Sequence, residues 1–456
     1  MHLAPQAHPR VRLLTWPLPS FGRCAALGIV LACAASPQAA PTIGGVLGTT
    51  PYSSVWSVRL GPANVFELFG IAIVGAWLAA QALAPCLPIR RSAFDTPLLI
   101  TAALLGLLQT VALLRGLPSS EFLAFDLERI LIPLAGYLLV TRAVIERATW
   151  SATVWLLAFV LLGRAAELVV VHGVLGTTQF GTSRGQTALL ITEDTLLVIV
   201  PAVLLWGRIV EQQMKSWLVP LAVMAVASVL IVDALSLRRG ALLFILAALA
   251  VRSLSLTRRT MLAGVATLLV VAGTLVAAGP LRSTWDNARY AVASAVGARS
   301  DASTQQRGRE WRELVRNFEA ADAFIGRGAG TPWTAFDPGP VGIASFGTGE
   351  SVTKRIGWHA YGLDWLFKFG VLGCLLAIAG LLGAMRVGFQ ATKGMSQPSS
   401  TDARSLIIVL APLALLLFTN PRVGLLAGVV LGLISTSIDL ERAHARTPEA
   451  NDAQCR

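Results

Sequence analysis

Charged residues are scarce in this chain. Asp, Glu, Lys and Arg make up only 14% of 456 residues, while apolar side chains make up 55% and the mean hydropathy is +0.66. No soluble fold of this length needs such a composition, so the pattern is that of a polytopic membrane protein. Cysteine is equally sparse. Cys24, Cys33, Cys86, Cys374 and Cys455 fall in apolar segments, a short loop or the tail, which excludes a disulfide framework and any Cys/His metal cluster. There is no P-loop, no Asp-x-Asp pair and no HExxH motif. Nucleotide-driven transport and metal-dependent transfer from nucleotide sugars are therefore disfavoured, and no cofactor is expected.

What is present is a series of apolar segments near 24–40, 64–84, 94–115, 123–144, 148–171, 187–207, 216–233, 240–256, 260–279, 360–385, 404–418 and 422–438. They predict an all-α polytopic membrane protein with about 12 transmembrane helices and one large periplasmic loop between helices 9 and 10. Residues 1–280 hold helices 1–9, 281–358 the loop, 359–438 helices 10–12, and 439–456 a cytoplasmic tail. The first segment also has the flanks of a signal peptide, with Arg10, Arg12 and Arg23 before it and Gln38-Ala39-Ala40 after it. A retained helix is the favoured reading of the two.

The net charge of +12 would point to nucleic acid in a soluble protein. Here its distribution reads as topology, and no nucleic-acid partner is expected. With a cytoplasmic N-terminus, the cytoplasmic loops carry Arg90 and Arg91, Arg142 and Arg147, Arg208 and Lys215, then Arg252, Arg258 and Arg259. Arg386, Lys393 and Arg404 follow, then Arg442, Arg446 and Arg456. The register places both termini in the cytoplasm of a multi-pass bacterial inner-membrane protein.

The large loop contains a stretch, 304–323, in which Trp311, Leu314, Val315 and Phe318 recur at helical spacing, predicting an amphipathic helix against the membrane face. Gly326-Arg327-Gly328-Ala329-Gly330 and Asp337-Pro-Gly-Pro340 then mark turns. A loop of this length between helices is more often functional than a connector.

Three constellations point to chemistry at the outer face. Arg238-Arg239-Gly240 places two arginines against the positive-inside rule, which reads either as side chains snorkelling to the headgroups or, the favoured reading, as a fixed cationic site for an anionic ligand. Arginine suits phosphate because its planar fork donates two hydrogen bonds at once. In the loop, Arg307 precedes Trp311 by one helical turn. At the loop's end His359 stands where polar sequence re-enters an apolar helix, among Trp358, Tyr361 and Trp365. It reads either as an interfacial histidine satisfied by a backbone carbonyl or, the favoured reading, as an imidazole poised for proton exchange near neutrality. Gly370 and Gly373 follow, and permit close helix packing. Within apolar segments Arg164 with Glu167 reads as a structural pair, Glu128 adjoins Arg129, and Arg184 lies before Glu193-Asp194 as a further candidate for substrate contact.

Taken in order, these residues resemble the O-antigen ligase family and its relatives, the lipid-linked polysaccharide polymerases and bacterial protein O-oligosaccharyltransferases. Ser236-Leu-Arg-Arg239-Gly240 is similar to the family's Ser-Arg-Gly at an outer helix start. Arg307-x-x-x-Trp311 followed by Gly326-x-Gly328-x-Gly330 is similar to its large-loop signature, and His359-Ala360-x9-Gly370-x-x-Gly373 to its His-[Asn/Ser/Gln]-x9-Gly-x-x-Gly. Ala360 departs from the polar residue of ligases, which keeps a polymerase as the alternative.

The resemblance implies a metal-independent inverting glycosyltransferase that moves a glycan from undecaprenyl diphosphate to an acceptor hydroxyl, such as lipid A-core, at the periplasmic face. In that reading Arg239 and Arg307 stabilise the diphosphate and His359 orients or deprotonates the acceptor. Arg238, Arg184, Trp311, Gly328 and Gly330 line the substrate site, and Trp333 is a further candidate for stacking on sugar. A membrane transporter is the reading from a different class; discontinuous helices with internal symmetry would favour it.

Overall fold

The computed structural model describes Gly28 and residues 59–60, 63–83, 92–118, 120–144, 146–169, 192–235, 239–253, 311–312, 315–334, 354–355, 363–395, 399–417 and 421–454. Among them the chain is helical apart from turns, connecting segments and two ladders of two residue pairs each, Arg59–Leu60 with Ala63–Asn64 and Trp333–Thr334 with Lys354–Arg355. The helices are α1 (Val65–Leu83), α2 (Asp95–Leu114), α3 (Ser120–Ala143), α4 (Arg147–Val169), α5 (Thr192–Val210), α6 (Val219–Leu235), α7 (Arg239–Ser253), α8 (Ala320–Ile325), α9 (Leu363–Thr392), α10 (Ser399–Leu417) and α11 (Pro421–Gln454). Ten of the twelve apolar segments read from the sequence thus coincide with a helix. The segments 24–40, apart from Gly28, and 260–279, and most of the 281–358 loop, lie outside the described residues.

Among the described residues three stretches are long and apolar enough to cross a membrane: Asp95–Leu114, Trp365–Thr392 and Gly424–Ala443. The first two are mostly exposed, through side chains such as Leu104, Leu107, Leu114, Leu375, Ile378 and Leu382. Water would not tolerate so much contiguous apolar surface, whereas hydrocarbon favours it. Shorter apolar stretches occur in α1, α3, α4, α5, α6 and α7. The predicted boundary at 438 is not the end of a helix, since α11 continues to Gln454.

Between apolar helices in lipid, packing and hydrogen bonds do the work that hydrophobic burial does in water. The α3–α11 pair shows this. Gly424, Gly428 and Gly432 recur every four residues on α11, and Gly136 lies on α3. A Cβ on Gly428 would stand 1.9 Å from the Pro133 carbonyl oxygen, and one on Gly136 2.7 Å from that of Leu425. The backbones meet with nothing between them. Trp150 donates to the Leu433 carbonyl at 2.8 Å and ties α4 to the same helix.

Ion pairs mark the two ends of the bundle. At one end Arg142 meets Asp95 at 2.9 Å, and Tyr137 donates to the other Asp95 oxygen at 2.8 Å. Ser92 bridges Ser435 and Asp439 at 2.7 and 2.6 Å. Arg208 forks onto both oxygens of Asp402 at 2.7 and 2.6 Å, and Glu211 gathers Arg252, Arg404 and the Thr401 hydroxyl. Thus the starts of α2 and α10 and the ends of α3, α5 and α7 share one end. Arg115 at the close of α2, and α8 with the start of α9, define the other. Consecutive helices therefore alternate in direction through the part of the chain where the basic loops recur.

Candidate functional site

At the end opposite the arginine-rich loops, the sequence Gly326-Arg327-Gly328-Ala329-Gly330 folds into a turn seated between α2, α3 and α9. Gly326, Gly328 and Gly330 have φ of +76°, +87° and +85°, a region closed to most side chains. Space is equally demanding: a Cβ on Gly328 would lie 2.3 Å from the Ala112 Cβ.

The seat is made by a break in α9. Gly370 has φ +63° and ψ −173°, which separates residues 363–369 from the long helix that follows. A continuous helix would use the Phe367 and Lys368 carbonyls for the amides of Val371 and Leu372. The break turns them outward, and the loop takes them: Arg327 N donates to Phe367 O at 2.9 Å, and Gly328 N to Lys368 O at 2.7 Å. A Cβ on Gly370 would meet the Phe324 carbonyl oxygen at 2.3 Å, and one on Gly326 the Lys368 carbonyl oxygen at the same distance. Sequence alone assigns Gly370 to packing between long helices. It is instead a backbone hinge, and the surface it admits is α8.

Two polar side chains from inside apolar helices complete the seat. Gln109 of α2 pairs with Ala329 in both directions, accepting from its N–H at 2.7 Å and donating to its carbonyl at 3.0 Å. Asp126 of α3 accepts from Gly330 N at 2.6 Å and, through its other oxygen, from the Lys368 ammonium. The side chains of Lys368 and Asp126 are 2% and 1% exposed. A buried charge is tolerated only when paired and fully hydrogen-bonded, and here the pair is also tied to the loop backbone.

A second ion pair borders the turn. Asp322, fully buried, accepts from Arg115 at 2.6 Å, from Glu319 N at 3.3 Å, and lies 3.4 Å from Arg327. Arg327 also donates to the Asn317 carbonyl at 2.9 Å and lies over the Phe367 ring at 5.8 Å. Leu105, Leu108, Ala329, Trp365 and Phe369 pack beneath. Trp365 is therefore core rather than part of an interfacial aromatic belt, because the break at Gly370 folds residues 363–369 under the turn; its ring lies 4.8 Å from that of Phe369.

The sequence-derived site residues are placed unequally. Arg239 is the first residue of α7. Trp311 is helical and 52% exposed, with Val315 exposed beside it, while Phe318 packs edge-on against Phe367 at 5.9 Å. The predicted 304–323 helix is interrupted at Phe318 and Glu319 before α8 begins. Gly328 and Gly330 are buried, and their amide hydrogens are committed to Lys368 O and Asp126. What they contribute is the fastening of the loop. His359, Arg307, Arg238 and Arg184 lie outside the described residues, as do Trp358 and Tyr361. Glu128 and Arg129 lie on α3, Arg164 and Glu167 on α4, and Glu193 and Asp194 in the first turn of α5.

Sequence reasoning singled out none of Gln109, Arg115, Asp126, Asp322 or Lys368 for a role. The signal was available for Asp126 and Lys368, since an ionisable residue inside an apolar helix calls for a partner. Among the described residues, no group of three or more His, Cys, Asp or Glu side chains is arranged to hold a metal ion. Compared with known proteins, the chain matches no family model, and no curated protein matches it.

Proposed function

We propose that this protein is a membrane glycan transferase of the O-antigen ligase type. It takes a glycan from undecaprenyl diphosphate at the periplasmic face and delivers it to an acceptor hydroxyl, lipid A-core in the ligase reading. The observation that carries the reading is the direct attachment of the loop's glycine turn to the start of α9. Two of the three motifs, separated by dozens of residues, are thereby joined: the large-loop signature ends in that turn, and His359 lies four residues before α9 begins. The third, Arg239, opens α7 at the same end of the bundle. Helix direction supports this, because α7 ends in Arg252 at the arginine-rich end.

In this mechanism Arg239 and Arg307 bind the diphosphate and oppose the charge that develops as the glycosyl bond breaks. His359 orients the acceptor hydroxyl and takes its proton. The donor carries its own activation, so neither ATP nor a metal is required. Acceptor attack opposite the departing diphosphate inverts the anomeric centre.

The polymerase alternative rests on Ala360, which lacks the polar group of ligases. The surface-glycan profile of a deletion strain separates the two. Loss of a ligase leaves polymerised glycan on undecaprenyl diphosphate and bare lipid A-core. Loss of a lipopolysaccharide polymerase leaves cores capped by one repeat, and loss of an exopolysaccharide polymerase removes the secreted polymer alone. A deletion strain with every surface glycan unchanged, while the gene is expressed in the parent, contradicts both. Transporters built on broken helices use the freed carbonyls to coordinate ions. The two carbonyls freed at Gly370 are instead taken by loop amides.

A further inference from the structure

We infer that Asp126 is a positioning residue for the transfer reaction: with Lys368 it clasps the glycine turn, where the large-loop motif ends, to the helix that follows His359 in sequence. The inference rests on the function proposed above. It starts from a division of labour within one carboxylate. One oxygen holds the Lys368 ammonium, and the other holds the Gly330 amide at 2.6 Å. Lys368 in turn offers its own carbonyl to Gly328, so a single α9 residue is bound to the loop through its backbone and to α3 through its side chain. Three parts of the chain are joined at a point with no access to water. A buried pair needs its remaining lone pairs satisfied, and here the group that satisfies them is the loop backbone, so the carboxylate that neutralises Lys368 also holds the turn in place. Replacing such a pair by apolar groups of similar volume is often neutral or stabilising, whereas an amide left without an acceptor in a dry site is not.

That difference supplies the test. Thr331 is buried immediately after the turn, and its hydroxyl donates to the Arg327 carbonyl at 2.6 Å. In a background with the five native cysteines replaced by serine, Thr331→Cys reports loop release by its rate of reaction with a polar thiol reagent in detergent-purified, full-length protein. Two double variants are compared, each read for labelling and for glycan transfer. Asp126→Leu/Lys368→Met removes both charges and the acceptor. Asp126→Asn/Lys368→Met removes both charges but keeps an amide oxygen for Gly330.

The expected result is labelling of the leucine variant faster by about tenfold, the worth of one buried hydrogen bond. Its kcat should fall by about a hundredfold, as for a misplaced reacting group. The asparagine variant should stay protected and retain transfer within about threefold, while both elute as monodisperse protein. Equal protection of the two overturns the clasp. Release of the loop in the leucine variant with transfer unchanged overturns the positioning role. If the parental protein itself transfers no glycan, the proposed function fails, and labelling alone then decides whether Asp126 holds the loop.

Discussion

At the scale of single residues, the reading turns on how arginine differs from lysine. Both carry one positive charge, but only arginine presents a planar fork that meets two phosphate oxygens together. Arg239→Lys and Arg307→Lys should each lose most transfer activity. Arg312→Ala, at an exposed position, should retain it, and initial rates with a saturating lipid-linked donor measure all three. His359→Ala should inactivate without lowering the amount of protein in the membrane. Near-full activity of that variant would make the histidine structural.

Glu211 gives a second residue-scale expectation, on stability. Burial pushes its carboxyl upward, but the Thr401 hydroxyl, Arg252 and Arg404 outweigh that and hold it below the ordinary carboxylate value of 4.5. The folded state therefore binds this proton less readily than the unfolded chain. The stabilisation is fully present above the unfolded value and is lost as pH falls from there through the folded one. The difference in Tm between wild type and Glu211→Gln should accordingly be constant from pH 8 to about 6 and shrink below about 4.5. A difference that grows on acidification would reverse the sign.

At the scale of elements, the apolar segments were legible because the chain carries so little charge. In that setting a run of aliphatic residues bounded by arginine reads as a helix in hydrocarbon and as little else. The break in α9 was not legible. Glycine is common in membrane helices and usually marks close packing. Only the folded chain shows that Gly370 adopts a positive φ and that the Phe324 carbonyl oxygen stands where a Cβ would go. The Lys368–Asp126 pair was hidden for a different reason: its members are 242 residues apart in sequence, and one sequence contains nothing that joins them. Trp365 shows the same limit, since its burial follows from the break. Gly370→Ala should cost about 1–3 kcal/mol from backbone strain alone, more with the clash against α8. Gly75→Ala, in the interior of α1 where an added Cβ meets nothing within 4 Å, should be neutral or slightly stabilising. Tm values in detergent compare the two directly, and equal values would place the break elsewhere.

At the scale of the whole molecule, a basic end and a glycine-turn end are separated by helices that alternate in direction. The proposed chemistry belongs to the second. If arginine-rich loops face the cytoplasm, single cysteines in the 281–358 loop, in a cysteine-free background, should react with an impermeant thiol reagent in intact spheroplasts. Reaction only after lysis would invert the protein and remove the site from the face where the donor is presented. The account's central claim is the transfer itself, and a purified reaction tests it most directly. Protein in detergent is given glycan on undecaprenyl diphosphate and an acceptor with a free hydroxyl, with chelator present and ATP absent, beside His359→Ala. The account predicts glycan joined to the acceptor and free undecaprenyl diphosphate released by the wild type, and neither product from the variant. An intact donor in the wild-type reaction, with the protein folded and monodisperse, would contradict it.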